Sequence, residues 1–238
     1  MANIKEKMKI KIIQDGPYTV IGGIPLSDQI LIPDEQGLSV GWHQGKQYPI
    51  EDEYDLCRCG HSRKKPFCDG THGEIFFDGT ETANRKPFIE QIEPETIGPE
   101  LVLKDVVALC ANARFCDRAG GTWDNTRASD DPKAKAVAIQ EVWDCPAGRL
   151  VLHDKKGKLL EPEFEPSIGL VYDPVLRLLG PIWVRGGILI EAADGSEYEI
   201  RNRVTLCRCG KSANKPFCDG KHEIAESNDS KGDDYELP

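Results

Sequence analysis

The chain has 238 residues, of which 39% are hydrophobic, and its formal net charge is −10. This length suits one to three domains, and no segment approaches the ~18 consecutive apolar residues of a membrane-spanning helix. The acidic balance argues against nucleic-acid binding through a basic surface. Residues 1–7 alternate in charge and lack the apolar core of a secretory signal, so we expect a cytoplasmic protein that does not associate with membranes.

Short strands are predicted near both ends of the chain, where β-branched and aromatic residues lie between glycines, prolines and aspartates. The predicted strands cover residues 8–13, 18–21, 29–32, 182–190 and 198–204. Part of this sequence is repeated, because the segment GPYTVIGGI that starts at Gly16 is echoed by GPIWVRGGI, which starts at Gly180. We therefore expect two β-rich modules with few helices.

Each β-rich segment leads to a loop that contains cysteine and histidine, and the two loops have nearly the same sequence. Residues 56–72 and 206–222 match at 13 of 17 positions and hold six of the nine cysteines. Cysteines in a chain with no predicted export signal indicate metal or redox chemistry rather than disulfides. Both loops preserve the pattern C-x-C-x8-C-x3-H. The eight candidate metal ligands are Cys57, Cys59, Cys68, His72, Cys207, Cys209, Cys218 and His222.

The spacing of the cysteines bears on which metal the loops bind. Zinc accepts three thiolates and one imidazole, but its sites usually separate paired cysteines by about two to four residues. The single-residue gap instead favours an iron–sulfur cluster whose two irons divide the ligands. In the Cys-Asp-Gly-x-His ending, Asp69 and Asp219 can cap a short turn, and Gly70 and Gly220 let the backbone approach the inorganic sulfides. A zinc-binding structural or interaction module is the alternative, with inert thiols as a further one.

At these residues the chain resembles the CDGSH-type iron–sulfur family. The family pattern of C-x-C, then Ser, then Pro-x-Cys-Asp-Gly-x-His occurs twice, with the Ser and Pro positions filled in both loops. The sequence departs from the family name at Thr71 and Lys221, which stand where the name has Ser and are not ligands. The resemblance implies that each loop binds one [2Fe-2S] cluster through its three cysteines and one histidine.

Between the loops the character of the sequence changes. Residues 78–99 are polar and contain several prolines, which predicts a linker. Helical periodicity follows over residues 101–112 and 132–143, with Pro132 near the start of the second helix. A short strand is predicted over residues 149–153.

This central region contains the other three cysteines in the pattern C-x5-C-x28-C-P: Cys110, Cys116 and Cys145. The arrangement resembles the divergent single-cluster ferredoxins, which implies a [3Fe-4S] or [4Fe-4S] cluster. A fourth thiolate is missing from the sequence, and Asp117 and Asp144 are the candidate replacements. The alternative is a ferredoxin-like domain whose cysteines are small buried apolar residues.

Together these patterns predict an α+β protein in which two small β-rich CDGSH modules form a pseudo-dimer with a small helical ferredoxin-like insert. We expect the N-terminal module over residues 1–77, the linker and ferredoxin-like region over 78–165, and the C-terminal module over 166–224. Residues 225–238 are rich in acidic residues and predict a flexible tail.

The predicted function is electron transfer or cluster transfer by a monomeric iron–sulfur protein whose partners are redox proteins or cluster acceptors. A carrier is favoured over an enzyme, since the sequence has no G-x-S-x-G, P-loop or G-x-G-x-x-G motif; the electron-carrying component of a redox enzyme is the alternative. Basic residues surround each loop, and they either stabilise an anionic cluster or attract acidic partners. These residues are Arg58, Arg63, Lys64, Lys65, Arg208, Lys211, Lys215 and Lys221.

Overall fold

A computed structural model describes residues 8–93 and 95–224. The fold is α+β and strand-rich, with 18% helix against 33% strand, as the sequence predicts. Within the described residues, no helix is long and apolar enough to cross a membrane. The predicted acidic tail over residues 225–238 lies outside the described part of the chain.

The secondary structure of the described residues comprises thirteen strands, three short-to-medium α-helices and several 3-10 turns. In chain order the strands are β1 (Lys9–Ile12), β2 (Tyr18–Ile21), β3 (Leu26–Pro33), β4 (Ser39–Gln47), β5 (Glu53–Leu56), β6 (Glu95–Ile97), β7 (Leu101–Asp105), β8 (Leu150–Asp154), β9 (Leu159–Leu160), β10 (Ser167–Asp173), β11 (Leu178–Arg185), β12 (Leu189–Glu191) and β13 (Arg203–Leu206). The helices are α1 (Thr71–Glu74), α2 (Thr122–Arg127) and α3 (Pro132–Asp144).

The sequence repeat folds into the same antiparallel strand pair twice. Strand β2 pairs antiparallel with β5, so that Tyr18 lies opposite Leu56. Strand β11 pairs in the same way with β13, where Ile182 lies opposite Leu206. The second strand of each pair ends at the residue before the first cysteine of its loop, which explains why the two halves of the repeat occur together.

The two halves of the chain exchange strands. The sheet order is β12-β1-β2-β5 in one sheet and β13-β11-β10-β3-β4 in the other. Ile10 of β1 lies opposite Ile190 of β12, and Ile168 of β10 lies opposite Leu26 of β3, in parallel pairs that are reciprocal. All four side chains belong to one buried apolar cluster. Neither half therefore has a complete sheet or a complete core of its own.

The bounds of the two strands predicted in the C-terminal half are partly wrong. The segment 182–190 is divided into β11 and β12 by Gly186 and Gly187, whose φ angles of +80° and +72° are left-handed and break the strand. Only the end of the segment 198–204 is a strand. Tyr198 packs in the core instead and its hydroxyl donates a 2.5 Å hydrogen bond to Glu81.

The segment predicted as a linker over residues 78–99 is in part structured. It contains a 3-10 turn, Phe88–Glu90, and strand β6. The backbone amides of Thr82 and Ala83 both donate to the carbonyl of Lys215, at 2.8 and 2.9 Å. This connection is therefore fixed to the C-terminal half.

The helix predicted over residues 101–112 is wrong, because the segment begins with strand β7. Leu101, Leu103 and Asp105 are buried while the residues between them are half-buried, which is the two-residue period of a strand. Strand β7 lies between β6 and β8 in a four-stranded sheet, order β6-β7-β8-β9. The predicted helical insert is therefore a sheet that packs its apolar face on α3.

Two predictions for the insert are confirmed. Helix α3 spans Pro132–Asp144; the carboxylate of Asp131 accepts a 2.9 Å bond from the amide of Lys133, and Pro132 occupies the first turn. The strand predicted over residues 149–153 is β8, with bounds one residue later.

Candidate metal centres

The N-terminal ligand loop is held in shape by two short polar side chains. The Asp69 carboxylate accepts hydrogen bonds from the amides of Arg63 at 2.8 Å and Thr71 at 3.1 Å. The Ser62 hydroxyl donates to the carbonyl of Phe67 at 2.6 Å. Asp69 thus ties the start of α1 to the middle of the loop. The hydrogen bonds from the Thr71 hydroxyl, at 2.7 Å, and from these two amides hold the pKa of Asp69 well below its usual range.

The C-terminal loop repeats this frame. Asp219 accepts from the amides of Ala213 at 2.8 Å and Lys221 at 3.2 Å, and the Ser212 hydroxyl donates to Phe217 at 2.7 Å. The glycine that follows each aspartate has a left-handed φ, +88° in the N-terminal loop and +81° in the C-terminal loop. Glycine is therefore favoured at positions 70 and 220 because other residues rarely adopt this backbone conformation.

The candidate ligands lie in four close pairs. The Sγ atoms of Cys57 and Cys59 are 3.7 Å apart, and those of Cys207 and Cys209 are 3.8 Å apart. The other four form thiol–imidazole pairs: Cys68 Sγ to His72 Nδ1 at 3.3 Å, and Cys218 Sγ to His222 Nδ1 at 3.5 Å. A tetrahedral metal with metal–sulfur bonds of about 2.3 Å holds two sulfurs ~3.8 Å apart. Each pair therefore has the spacing of two ligands on one metal ion.

Across the described part of the chain, no three His, Cys, Asp or Glu side chains gather in a group that could hold one metal ion. The candidate ligands of each loop are instead arranged as two pairs. Two irons bridged by inorganic sulfide need such an arrangement, with one protein pair on each iron.

The electrostatics of the thiol pairs favour metal binding, because a ligand must lose its proton. The hydrogen bond with Cys59 lowers the pKa of Cys57 to about 6, and the bond with Cys209 does the same for Cys207, to about 6. The partner thiol in each pair has a raised pKa. One thiol of each pair is therefore the more acidic and is the first to lose its proton.

The thiol–imidazole pairs differ between the loops in burial. Cys68 and His72 are half-buried, whereas Cys218 and His222 are buried, His222 to 6% exposure. Burial raises the pKa of the Cys218 thiol and lowers the pKa of His222 to about 4. Burial thus favours the neutral form of the His222 imidazole, which is the form that binds a metal.

Two of the basic residues predicted to surround the loops are not on the surface. Arg58 is 1% exposed and donates to the backbone carbonyls of Ile13 and Gly79. Arg208 is buried as well and donates to the carbonyls of Gly180 at 2.9 Å and Val171 at 2.8 Å. These two arginines anchor their loops to the sheets, so they do not present charge to a partner.

The two C-x-C turns lie back to back. A Cβ atom on Gly60 would lie 2.8 Å from the carbonyl oxygen of Cys209, and one on Gly210 would lie 2.5 Å from that of Cys59. The hydroxyl of Tyr18, at the start of β2, donates to the carbonyl of Cys207 at 2.9 Å. Backbone therefore meets backbone between the two ligand loops.

The central cysteines line one cavity of about 240 Å³. Cys110, Cys116 and Cys145 are all in its wall, together with Asp117. Asp144 is not in the described lining, because its carboxylate pairs with Arg118 at 2.5 Å. Of the two candidate replacements for a fourth cysteine, the cavity thus contains only Asp117.

Among the polar residues of this cavity, Arg149 and Asn112 were not identified from the sequence as site residues. Arg149 is buried and makes a bidentate pair with Asp105, at 2.8 and 2.5 Å. Burial opposes its charge, but the bond with Asp105 and the nearby Cys110 raise the pKa of Arg149 above its usual value. Asn112 also lines the cavity. The only signal in the sequence is proximity: Arg149 closely follows Cys145, and Asn112 closely follows Cys110.

Comparison with protein families agrees with this organisation. The family described as iron-binding zinc finger CDGSH type matches residues 15–73 and 179–223, and the family described as divergent 4Fe-4S mono-cluster matches residues 96–155. A search of curated proteins gives no match. The chain is an iron–sulfur protein. More particularly, it contains two CDGSH-type iron-binding domains with a divergent 4Fe-4S ferredoxin-like region between them.

Proposed function

We propose that each CDGSH domain binds one [2Fe-2S] cluster through three cysteines and one histidine. In the N-terminal domain, Cys57 and Cys59 hold one iron and Cys68 and His72 hold the other; Cys207, Cys209, Cys218 and His222 do so in the C-terminal domain. The observation that carries this proposal is the pairing of the ligands at 3.3–3.8 Å in both loops. Such clusters supply one-electron transfer.

The residues around the ligands support a carrier of electrons. The amide of His61 lies 3.5 Å from Cys59 Sγ, and the amide of Gly220 lies 3.5 Å from Cys218 Sγ. Amides in these positions stabilise negative charge on the sulfurs, and a neutral imidazole removes one negative charge relative to a fourth thiolate. Both effects favour reduction. We infer that the protein transfers electrons to or from redox partner proteins.

A second function, cluster transfer, is favoured at the N-terminal domain alone. Cys68 and His72 are half-buried there, so an acceptor protein can approach the thiol–imidazole pair. The matching pair of the C-terminal domain is buried. Delivery of a cluster to an acceptor would therefore use the N-terminal site.

The two CDGSH domains are proposed to form an internal pseudo-dimer in a monomeric chain. The reciprocal pairs of Ile10 with Ile190 and Ile168 with Leu26 support it, as do the reciprocal approaches at Gly60 and Gly210. Measurement of molecular mass in solution tests this: we expect one chain per particle, and an obligate dimer of chains would contradict the proposal.

The central cavity is proposed to hold a [3Fe-4S] or [4Fe-4S] cluster on Cys110, Cys116 and Cys145. Support comes from the three thiols that line one cavity and from the family match. Asp117 is then the candidate for a fourth ligand, and a [3Fe-4S] cluster needs none.

The experiment that tests the cofactors is a count of iron, acid-labile sulfide and zinc per chain, with visible absorption spectra, on protein purified without oxygen. We expect two irons and two sulfides for each CDGSH domain, with additional iron that is absent from Cys145→Ala. Stoichiometric zinc without sulfide would show that the loops are zinc modules instead.

A further inference from the structure

The wall of the central cavity is continuous with the C-terminal ligand loop. Cys145, one of the three cavity cysteines, packs with Cys218 in a single cluster of buried side chains. The other two members of the cluster are Ala111 and Ala147, so the cluster contains no large side chain that could separate the thiols of Cys145 and Cys218. All four residues are at most 8% exposed. The contact between the two candidate sites is therefore apolar, closely packed and shielded from water.

A second contact joins the same two sites through Asn112. The Cys110 thiol donates to the side-chain carbonyl of Asn112 at 3.3 Å, and the Asn112 amide donates to Glu223 at 3.1 Å. A Cβ atom on Gly220 would lie 2.5 Å from the Asn112 amide nitrogen. Asn112 therefore touches both a cavity cysteine and the ligand loop, at a position between Cys218 and His222.

The N-terminal loop has no such neighbour in the described structure. Around Gly70, which corresponds to Gly220, an added Cβ would meet nothing within 4 Å. The described lining of the cavity includes Glu223 from the end of the C-terminal loop but no residue of the segment 57–72. The N-terminal loop reaches the rest of this arrangement through its back-to-back contact with the C-terminal C-x-C turn.

We propose that the central cavity and the C-terminal CDGSH loop form one electron-transfer unit, in which the C-terminal cluster exchanges electrons directly with the central cluster and connects it to the N-terminal cluster. The proposal rests on the proposed function, because it needs clusters at these sites. The step moves one electron: the reduced central cluster loses it and the oxidised [2Fe-2S] cluster gains it, with no bond made or broken. A low-potential one-electron donor, dithionite in the test, supplies the electron.

Electron paramagnetic resonance of the fully reduced protein tests the proposal. Either type of central cluster is paramagnetic when reduced, and it broadens the resonance and speeds the spin relaxation of a [2Fe-2S] cluster that lies close to it. To tell the two CDGSH clusters apart, we use His72→Cys and His222→Cys as a matched pair, since a change of ligand shifts the resonance of the substituted cluster.

We expect the shifted resonance of His222→Cys to be broadened and to need several-fold more microwave power for saturation than the shifted resonance of His72→Cys. Cys145→Ala, which removes the central cluster, should abolish the difference. If that variant does not fold, Cys116→Ala serves the same purpose at a thiol outside the contact with Cys218.

The count of iron and sulfide on the same samples separates the possible failures. A full complement of clusters with equal resonances in both His-to-Cys variants, or with broadening at the N-terminal cluster only, would overturn the electron-transfer unit and leave the proposed function intact. Absence of the central cluster would overturn the central site and this unit together.

Discussion

The two CDGSH ligand loops have nearly the same sequence and different surroundings. They agree at 13 of 17 positions and share the same internal hydrogen bonds, yet Cys68 and His72 are half-buried while Cys218 and His222 are buried. The difference comes from the insert. Asn112 covers Gly220, whereas the space at Gly70 is open. The sequence of each loop thus determines which candidate ligands it carries. The access of solvent to those side chains is determined by Asn112 and its neighbours, about a hundred residues away in the chain.

Ion pairs and hydrogen bonds join the insert to the C-terminal CDGSH domain. Arg114 pairs with Asp173 at 2.6 Å and with Glu223 at 3.5 Å. Arg203, at the start of β13, donates to the carbonyls of Val142 and Cys145 at the end of α3, at 2.8 Å each. These contacts join the C-terminal module to the insert at both ends of the cavity wall, so the burial of Cys218, which packs on Ala111, Cys145 and Ala147, depends on the insert.

The largest predicted effect is the loss of one cluster at a time. Cys57→Ala should lose the N-terminal [2Fe-2S] cluster and keep the other, and Cys207→Ala should do the reverse, because each thiol serves one loop. The measurement is iron and sulfide content with visible absorbance. Loss of both clusters in either variant would show that the two sites are not independent.

We expect the two [2Fe-2S] clusters to be lost at different acid pH values. A metal holds only a neutral imidazole, and burial lowers the pKa of His222 to about 4, while solvent reaches His72. Between neutral pH and about pH 4 we therefore expect the N-terminal cluster to bleach first. The effect on folding is separate: because the unfolded chain takes up the proton that buried His222 excludes, the free energy of unfolding falls as pH drops below ~6.5.

The two single-cluster variants, Cys57→Ala and Cys207→Ala, allow each bleaching curve to be followed by visible absorbance. Adding Asn112→Ala to Cys57→Ala opens the C-terminal site and should move its curve to higher pH. Identical curves for the two sites would contradict the link between burial and acid resistance.

Alanine at the two loop glycines should destabilise the domains unequally. Left-handed backbone costs a non-glycine residue about 1–2 kcal/mol at either position. Gly220→Ala must also displace Asn112, which adds about 1–3 kcal/mol for overpacking, whereas Gly70→Ala meets open space. Denaturant unfolding measures both free energies. In an Asn112→Ala background the two losses should become similar; a larger loss for Gly70→Ala would refute the account.

Replacement of the histidine ligands should lower the reduction potentials. His72→Cys and His222→Cys each add one negative charge to a cluster, and we expect falls on the order of 100 mV. The fall should be larger for His222→Cys, because a buried site screens the added charge less. Redox titration followed by visible absorbance gives both values. An unchanged potential in either variant would mean that its histidine is not a ligand.

The candidate ligands could be chosen from the sequence because the information in each loop is local. Spacing within 17 residues identified the eight candidate ligands, and the pair distances agree with two ligands per metal. Helix α3 was predicted for the same reason, since Asp131 and Pro132 mark its start. The segment after Leu101 was assigned the wrong period, because a short apolar run fits a buried strand as well as a helix.

The arrangement of the elements could not be predicted, since it depends on contacts between distant parts of the chain. The pairing of Ile10 with Ile190 joins strands about 180 residues apart, and the alternation within each strand says nothing about its neighbour. The contact of Asn112 with Gly220 likewise joins two distant parts of the chain. The two loops were therefore expected to be equivalent, and only the structure distinguished them.

The division of the ligands between two irons is tested most directly by Mössbauer spectroscopy of protein loaded with iron-57, in the Cys145→Ala variant to remove the central cluster. We expect two iron environments in equal amounts, one with two thiolates and one with a thiolate and an imidazole, and the electron of the reduced state on the imidazole-bound iron. A single iron environment, or a chain that takes up no iron, would contradict the assignment.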